Sequence, residues 1–194
     1  MGYSVDKKWS NKIHELALDT IYKDMNWHVI EEENDELKEY KDNTDGIDYT
    51  VMNQYGDIML VQERFRRDPS YNDFTLRFER EHSIYETEKK SEFYKIKDKI
   101  MRDKEHKFLL LYGVSTTEND FDKYVIVNLK QLYKQIDLGN IVIDRRISFT
   151  QIINGVVHVG VINNHDPSSS FLVFDVGVMA KFPNIIVKQE GFNV

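Results

Sequence analysis

Two short polar stretches of this sequence, DGID at 45–48 and VQER at 61–64, hold residues that could do chemistry together. Asp48 offers a carboxylate, Gln62 an amide oxygen and Arg64 a permanent positive charge. Gln62 follows Asp48 by fourteen residues, and NQYGD at 53–57 between them is a glycine-containing turn typical of a β-hairpin. The spacing therefore predicts two paired strands, with Asp48 beside Gln62 and Arg64 near one end of the pair.

The alternation of side chains along a strand decides which of these groups can meet. Gln62 and Arg64 share one face, whereas Glu63 points to the other face unless a β-bulge turns it inward. A carboxylate and an amide oxygen are hard oxygen ligands suited to Mg²⁺ or Mn²⁺. Such an ion can bind a phosphate oxygen and lower the pKa of a bound water. The residues alone also fit a surface hairpin with charged ends.

The elements that would position these residues form a mixed α/β pattern. A helix is predicted over 9–26 with Ser10 as its cap, then the hairpin, a strand DFTLRFERE at 73–81 and a second helix over 83–103. The apolar run KFLLLYGVS at 107–115 is typical of a central strand covered on both faces. We expect a mostly mixed central β-sheet of about four or five strands, flanked by helices on both sides.

The domain organisation is expected to be simple. The chain of 194 residues is long enough for one domain with a sizeable core. The hairpin, its flanking helices and the apolar strand would form a core over about 9–135. Short strands predicted after Gly139 would form a β-rich extension over about 140–194.

The two stretches resemble a known motif. DGID followed by VQER looks like the PD-(D/E)XK nuclease superfamily, and most of all its Mrr-type restriction endonuclease branch, a group of DNA-cleaving enzymes. The resemblance implies a restriction-endonuclease-like core and a catalytic set of Asp48, Gln62 and Arg64. It also implies that Asp48 and Gln62 bind Mg²⁺ or Mn²⁺, with Glu63 as a further metal ligand if the strand is bulged. An N-terminal helical glutamate often joins such a site, and Glu15 is the candidate.

One departure from the motif concerns the base. Arg64 stands where the family carries lysine, and a guanidinium remains protonated at any relevant pH, so Arg64 can hold a phosphate but cannot accept a proton. Lys95 or Lys97, from the second predicted helix, could supply the missing amine. Five of the eight arginines lie between 64 and 80, and a positive surface is expected to grip the phosphate backbone. The expected nucleic-acid-binding residues are Arg66, Arg67, Arg77, Arg80, Lys95 and Lys97.

Two classes of function follow. The first is a metal-dependent endonuclease that hydrolyses DNA phosphodiester bonds, with RNA as a possible substrate and a homodimer as a possible assembly. The alternative is a catalytically inactive domain on the same scaffold that binds nucleic acid or another protein. Metal binding at Asp48 would distinguish the two classes.

Composition and charge limit the other possibilities. The net charge of −7 comes from one segment, because residues 31–48 carry nine acids and two lysines, while the remaining residues balance. There is no cysteine, and hence no disulfide or thiolate metal site. The N-terminal MGYSVDKKWS lacks the apolar core of a signal peptide, and no apolar run approaches the length of a membrane span. We therefore expect a cytoplasmic protein with no membrane partner.

Overall fold

In the computed structural model of the chain, the described residues are 2–30, 46–80, 91–163 and 169–194. They form a mixed α/β fold, as the sequence predicts, built on two β-sheets. The helices are α1 (Gly2–Ala17), α2 (Glu92–Arg102), α3 (Leu129–Asp137) and α4 (Val176–Met179), and a π-helical turn (Leu18–Tyr22) continues α1. The strands are β1 (Trp27–Ile30), β2 (Tyr49–Asn53), β3 (Ile58–Arg66), β4 (Asp73–Arg80), β5 (Lys107–Val114), β6 (Lys123–Asn128), β7 (Ile141–Asp144), β8 (Gln151–Ile153), β9 (Val156–Asn163), β10 (Ser169–Asp175) and β11 (Ile186–Glu190).

The first sheet carries the predicted hairpin and the predicted central strand. Its order is β1-β2-β3-β5-β6-β11, with β3 and β5 parallel and the other neighbours antiparallel, so the sheet is mixed. In the part of the chain that is described it has six strands, against the four or five expected. Every residue of β5 after Lys107 is buried, which confirms the prediction for this strand.

Helices cover both faces of the first sheet, as expected. On one face, Ile21 and Tyr22 of the π-helical turn belong to a buried cluster with Val61 of β3 and Leu111 of β5. On the other face, α2 and α3 pack on the sheet together with the second sheet in a larger buried cluster. This arrangement follows from the alternation of β5, whose odd and even residues enter different clusters.

The second sheet joins the middle of the chain to its C-terminal part. Its order is β4-β10-β9-β7, with β8 paired to β9. The predicted strand at 73–81 is therefore β4 of this second sheet. The region after Gly139 is also more than an extension, because β7 to β10 build the second sheet and β11 returns to the edge of the first sheet beside β6.

Both predicted helices begin at other residues than expected. The first helix begins at Gly2, so Ser10 lies inside α1 and does not cap it. The α-helical part ends at Ala17 and passes into a π-helical turn, which no propensity argument would have indicated. The second helix begins at Glu92, and the preceding predicted residues 83–90 lie outside the described residues.

Candidate active site

A cavity of about 480 Å³ lies where β2 begins and β3 continues beyond it. Strand pairing of β2 with β3 starts at Tyr49 and Val61, so the last five residues of β3 run on past the start of β2. Side chains from α1, β3, β4 and α2 surround the space that is left. The cavity is lined by Ser10, Asn11, His14, Gly46, Asp48, Tyr49, Gln62, Glu63, Arg64, Phe65, Arg77, Glu92 and Lys95.

Asp48 is fixed at the cavity by its own backbone and by its carboxylate. Gly46 has φ of +67°, a conformation that glycine adopts readily, and it turns the chain toward β2. The Asp48 amide donates to the Val61 carbonyl at 3.1 Å, which extends the strand pairing by one step. One carboxylate oxygen of Asp48 accepts the Glu63 amide at 2.6 Å. The carboxylate thus accepts the hydrogen bond that a neighbouring strand would otherwise accept from the Glu63 amide of β3.

Gln62 brings an uncompensated oxygen to the same place. The residue is 5% exposed, and its Oε1 is buried with no hydrogen-bond partner in the described structure. Leaving a buried acceptor unsatisfied costs about 1–3 kcal/mol, and native folds seldom contain such atoms without a reason. A cation bound between Gln62 and Asp48 would satisfy this oxygen.

Glu63 points away from Gln62, so the expectation that it is a metal ligand needs correction. Its side chain is 6% exposed and both carboxylate oxygens are engaged. Tyr22 donates its hydroxyl to Oε1 at 2.6 Å, and the His14 Nδ1 lies 2.8 Å from Oε2. Burial first, and then the Glu63 carboxylate, raise the pKa of Tyr22 far above its ordinary value, so the phenol remains a donor. The regular alternation of β3 carries Glu63 to the α1 side.

Arg64 lies on the same face of the strand as Gln62, and an ion pair holds it in position. Its Nη1 donates to both carboxylate oxygens of Glu92, at 2.9 and 2.7 Å. Its guanidinium also lies 4.9 Å from the ring centre of Phe171, and Arg77 lies 5.7 Å from the same ring. Arg64, Arg77 and Lys95 of α2 therefore give the cavity three cationic side chains.

Other predicted phosphate-binding residues have different positions. Arg66 shares the strand face of Arg64, but its guanidinium pairs with Asp73 at 2.8 Å and lies outside the cavity lining. Arg67 lies over the indole of Trp9, 4.5 Å from the ring centre. The five clustered arginines therefore do not all line the cavity: the alternation of β3 takes Arg67 to the other face, and the pairing with Asp73 holds Arg66 away from it.

The remaining residues that the sequence predicted at the site also lie in different places. Lys97 forms an ion pair with Asp137 of α3 at 2.6 Å and does not line the cavity, whereas Lys95 does. Glu15 is exposed and does not line the cavity either. Arg80 ends β4, and its side chain lies outside the described part of the structure.

The donor set is suited to a magnesium-like ion. Asp48 can accept the Glu63 amide and still offer lone pairs, because a carboxylate has about four acceptor positions. The second donor is the buried Oε1 of Gln62, which no described residue hydrogen-bonds. No group of three or more His, Asp or Glu placed to hold a metal occurs among the described residues. A site with one or two protein oxygens is nevertheless ordinary for Mg²⁺, which keeps waters and substrate phosphates as its other ligands.

His14 is a cavity residue that the sequence did not indicate. It belongs to α1 at the position next to Glu15, the residue expected at the site. A single histidine in an amphipathic helix has no pattern that separates a functional role from a structural one. Its importance becomes visible only in the structure, where His14 and Tyr22 both contact Glu63. Glu63 lies 49 positions after His14 and 41 after Tyr22, and no spacing rule connects residues so far apart.

Comparisons with known proteins add no assignment. No family model matches this chain, and no curated protein or solved structure matches it. Among the described helices, none has the length and apolar character needed to cross a membrane. The proposal of a function therefore rests on the residues that line the cavity.

Proposed function

We propose that this chain is a divalent-metal-dependent endonuclease that hydrolyses phosphodiester bonds of DNA. One observation above all supports the proposal. The buried Oε1 of Gln62 has no hydrogen-bond partner among the described residues, and Gln62 lines the same cavity as Asp48. A buried oxygen without a partner, in a cavity that also offers a carboxylate, fits a site for a cation.

Asp48 and Gln62 would hold Mg²⁺ or Mn²⁺ in this cavity. A bound divalent ion supplies Lewis-acid polarisation of a phosphate oxygen and lowers the pKa of a water molecule. The protein's own contribution is to keep both oxygens in place. The backbone of β3 does this for Gln62, and the Glu63 amide does it for Asp48.

The cations of the cavity fit a phosphate substrate. Arg64 is aimed by its two contacts with Glu92, so its guanidinium needs no reordering when a phosphate arrives. Arg77 and Lys95 add two further positive side chains to the same lining. An anionic backbone would therefore meet an oriented arginine next to the metal-binding oxygens. DNA is preferred over RNA because the DGID and VQER motif resembles DNA-cleaving enzymes.

A second candidate is a binding domain without catalysis. The ion pair of Arg64 with Glu92 favours it, because a guanidinium already held by a carboxylate is partly neutralised. Such a domain would bind nucleic acid or a protein through the cavity without any metal.

Cleavage assays with a matched pair of variants separate the two. Purified protein should cut one or more of double-stranded, single-stranded or branched DNA with Mg²⁺ or Mn²⁺, and chelation should stop it. Asp48→Ala should lower the rate by more than about 100-fold, because even outer partners of a metal site are worth about 10–100-fold.

The control is Asp57→Ala, which removes an exposed carboxylate from the far end of the same hairpin, where it pairs with Lys107. This variant should cut at the wild-type rate. Wild-type protein that cuts none of the DNA substrates, or Asp48→Ala that cuts normally, would remove the endonuclease proposal. DNA binding without cleavage would support the binding domain, and cleavage of RNA alone would transfer the proposal to that substrate.

A further inference from the structure

The proposed hydrolysis needs a group that can take a proton from water, and Arg64 cannot be that group. A guanidinium stays protonated in proteins, and its Nη1 already donates twice to Glu92. Glu63 cannot serve either, since both of its oxygens accept hydrogen bonds from Tyr22 and His14. Two other cavity residues can carry a lone pair, Lys95 and His14, and an imidazole does so near neutral pH whereas an ammonium group must first lose a proton.

We propose that His14 is the proton acceptor of the site, oriented by Glu63 and Tyr22. This role rests on the proposed hydrolysis. His14 lines the same cavity as Asp48 and Gln62. Its side chain is 18% exposed, so the ring is fixed by protein yet reaches solvent.

The hydrogen bonds fix the tautomer of the ring. An ionised carboxylate only accepts, so the contact of 2.8 Å with Glu63 Oε2 places the hydrogen on His14 Nδ1. The neutral imidazole then has a lone pair on Nε2, and no described residue makes a hydrogen bond with that atom. Tyr22 binds the second oxygen of Glu63 at 2.6 Å, which prevents the carboxylate from rotating away from the ring.

Ring packing fixes the orientation of the imidazole as well. His14 stacks on Tyr49 with ring centres 4.1 Å apart and planes 3° apart. Its edge meets Tyr22 at 6.4 Å with the planes nearly perpendicular. Tyr49 follows Asp48 in the chain, and the amide of Glu63 donates to the Asp48 carboxylate. Two of the residues that hold the imidazole are therefore linked to Asp48: Tyr49 through the peptide bond, and Glu63 through the hydrogen bond from its amide to the Asp48 carboxylate.

The proton-transfer step balances without any further reagent. Water attacks phosphorus, and its proton passes to the lone pair of His14 Nε2 while the new P–O bond forms. The bond from phosphorus to the leaving oxygen breaks, and that oxygen takes a proton from solvent water. The imidazolium then returns its proton to solvent, and the charge that it carries in the meantime is stabilised by Glu63, as a carboxylate stabilises a catalytic imidazole.

The test compares two histidines with similar partners. His106 contacts Asp103 Oδ2 through Nδ1 at 2.9 Å, but it does not line the cavity. On a DNA substrate that the wild type cuts, His14→Gln should lower kcat by about 10²–10⁴-fold with little change in KM, as expected for a general base. His106→Gln should leave kcat unchanged, and added imidazole should restore part of the activity of His14→Ala.

A second measurement does not depend on turnover. Nitrogen NMR of wild-type protein, with the His14 signals assigned by their loss in His14→Gln, should show a protonated Nδ1 and an unprotonated Nε2. The opposite tautomer would overturn the proposal even in an active enzyme. If the wild type cuts DNA and His14→Gln cuts it equally well, the role of His14 is overturned but the proposed function is not. Wild-type protein that cuts no nucleic acid would overturn both this role and the proposed function.

Discussion

At the scale of single residues, the site is defined by which polar groups are satisfied and which are not. The Glu63 side chain is 6% exposed and has a partner for each oxygen, which is the usual state of a structural carboxylate. Gln62, its neighbour in the chain, is buried with an oxygen that has no partner among the described residues. The strand turns one of these residues to each face, so that the hydrogen-bonded carboxylate and the proposed metal ligand are neighbours in the chain but lie on opposite sides of β3.

Arg64 tests whether the site needs a cation or only a stable cavity. Arg64→Ala should abolish cleavage, and it should also lower the free energy of unfolding by about 1–3 kcal/mol, because Glu92 would remain largely buried without its partner. Urea unfolding and the cleavage assay measure the two effects separately. Arg64→Lys should retain cleavage, since it keeps a positive charge at the cavity.

The double variant Arg64→Ala/Glu92→Ala provides the control. It removes both charges, so it should recover part of the lost stability while cleavage stays absent. Recovery of cleavage in the double variant would show that Arg64 acts only by neutralising Glu92.

At the scale of elements, the cavity exists because β3 is longer than its partner. The ladder with β2 starts at Tyr49 and Val61, while β3 continues to Arg66 beside β5. The described ladder on the β2 side goes no further than Val61, and the Asp48 carboxylate binds the Glu63 amide at that point. The π-helical turn after α1 is the second requirement, because it carries Tyr22 whose hydroxyl reaches Glu63.

The end of β7 offers a prediction about pH and stability. Asp144 accepts hydrogen bonds from the Arg146 side chain at 2.6 and 2.8 Å and lies 3.0 Å from His158 Nδ1 on β9. Arg146 first, and His158 after it, hold the pKa of Asp144 well below its ordinary range. A carboxyl group whose pKa is lowered by folding contributes stability above its unfolded pKa, and this contribution is lost as the pH falls toward the folded value.

Asp144→Asn should therefore lower the free energy of unfolding by a constant amount above about pH 5. The difference from wild type should shrink as the pH falls below about 4, where the unfolded carboxyl becomes protonated. Urea unfolding of both proteins from pH 7 down to pH 3 measures it. A difference that is the same at every pH would show that the Asp144 charge does not stabilise the contact between β7 and β9.

The sequence predicted the strands of the site better than the contacts between distant parts of the chain. The alternation of VQER correctly assigned Gln62 and Arg64 to one face, and the apolar run 107–115 correctly indicated the central strand. Local patterns could not show that β4 belongs to a second sheet, because strand partners such as β10 lie about a hundred residues away. The resemblance selected Glu15, which is exposed and does not line the cavity, whereas its neighbour His14 lines it together with Ser10 and Asn11 of α1.

At the scale of the whole molecule, the two sheets share one buried cluster, which lies on the Gln62 side of β3. Phe74 and Leu76 of β4 pack in it with Leu110 and Tyr112 of β5. The Gln62 face of β3 therefore lies against a packed layer, which suits the proposed site because the two oxygens would have to be held for one ion. The cationic side chains of the cavity come from β3, β4 and α2, so both sheets and a helix contribute to it.

The net charge of −7 does not exclude a nucleic-acid substrate. The acids are concentrated in residues 31–48, most of which lie outside the described residues, and the rest of the chain is balanced. Binding of a phosphate backbone depends on the local field, and at the cavity Arg64, Arg77 and Lys95 balance the carboxylates of Asp48, Glu63 and Glu92, so that a bound divalent metal would make the field positive.

Calorimetric titration of the purified protein with Mn²⁺ tests the central claim most directly, because it asks whether Asp48 and Gln62 hold a metal. We expect one Mn²⁺ per chain, with affinity lowered by more than about 10-fold in Asp48→Ala and in Gln62→Ala, and unchanged in the hairpin control Asp57→Ala. No binding by the wild-type protein, or binding that Asp48→Ala and Gln62→Ala leave unaltered, would contradict a metal site in this cavity.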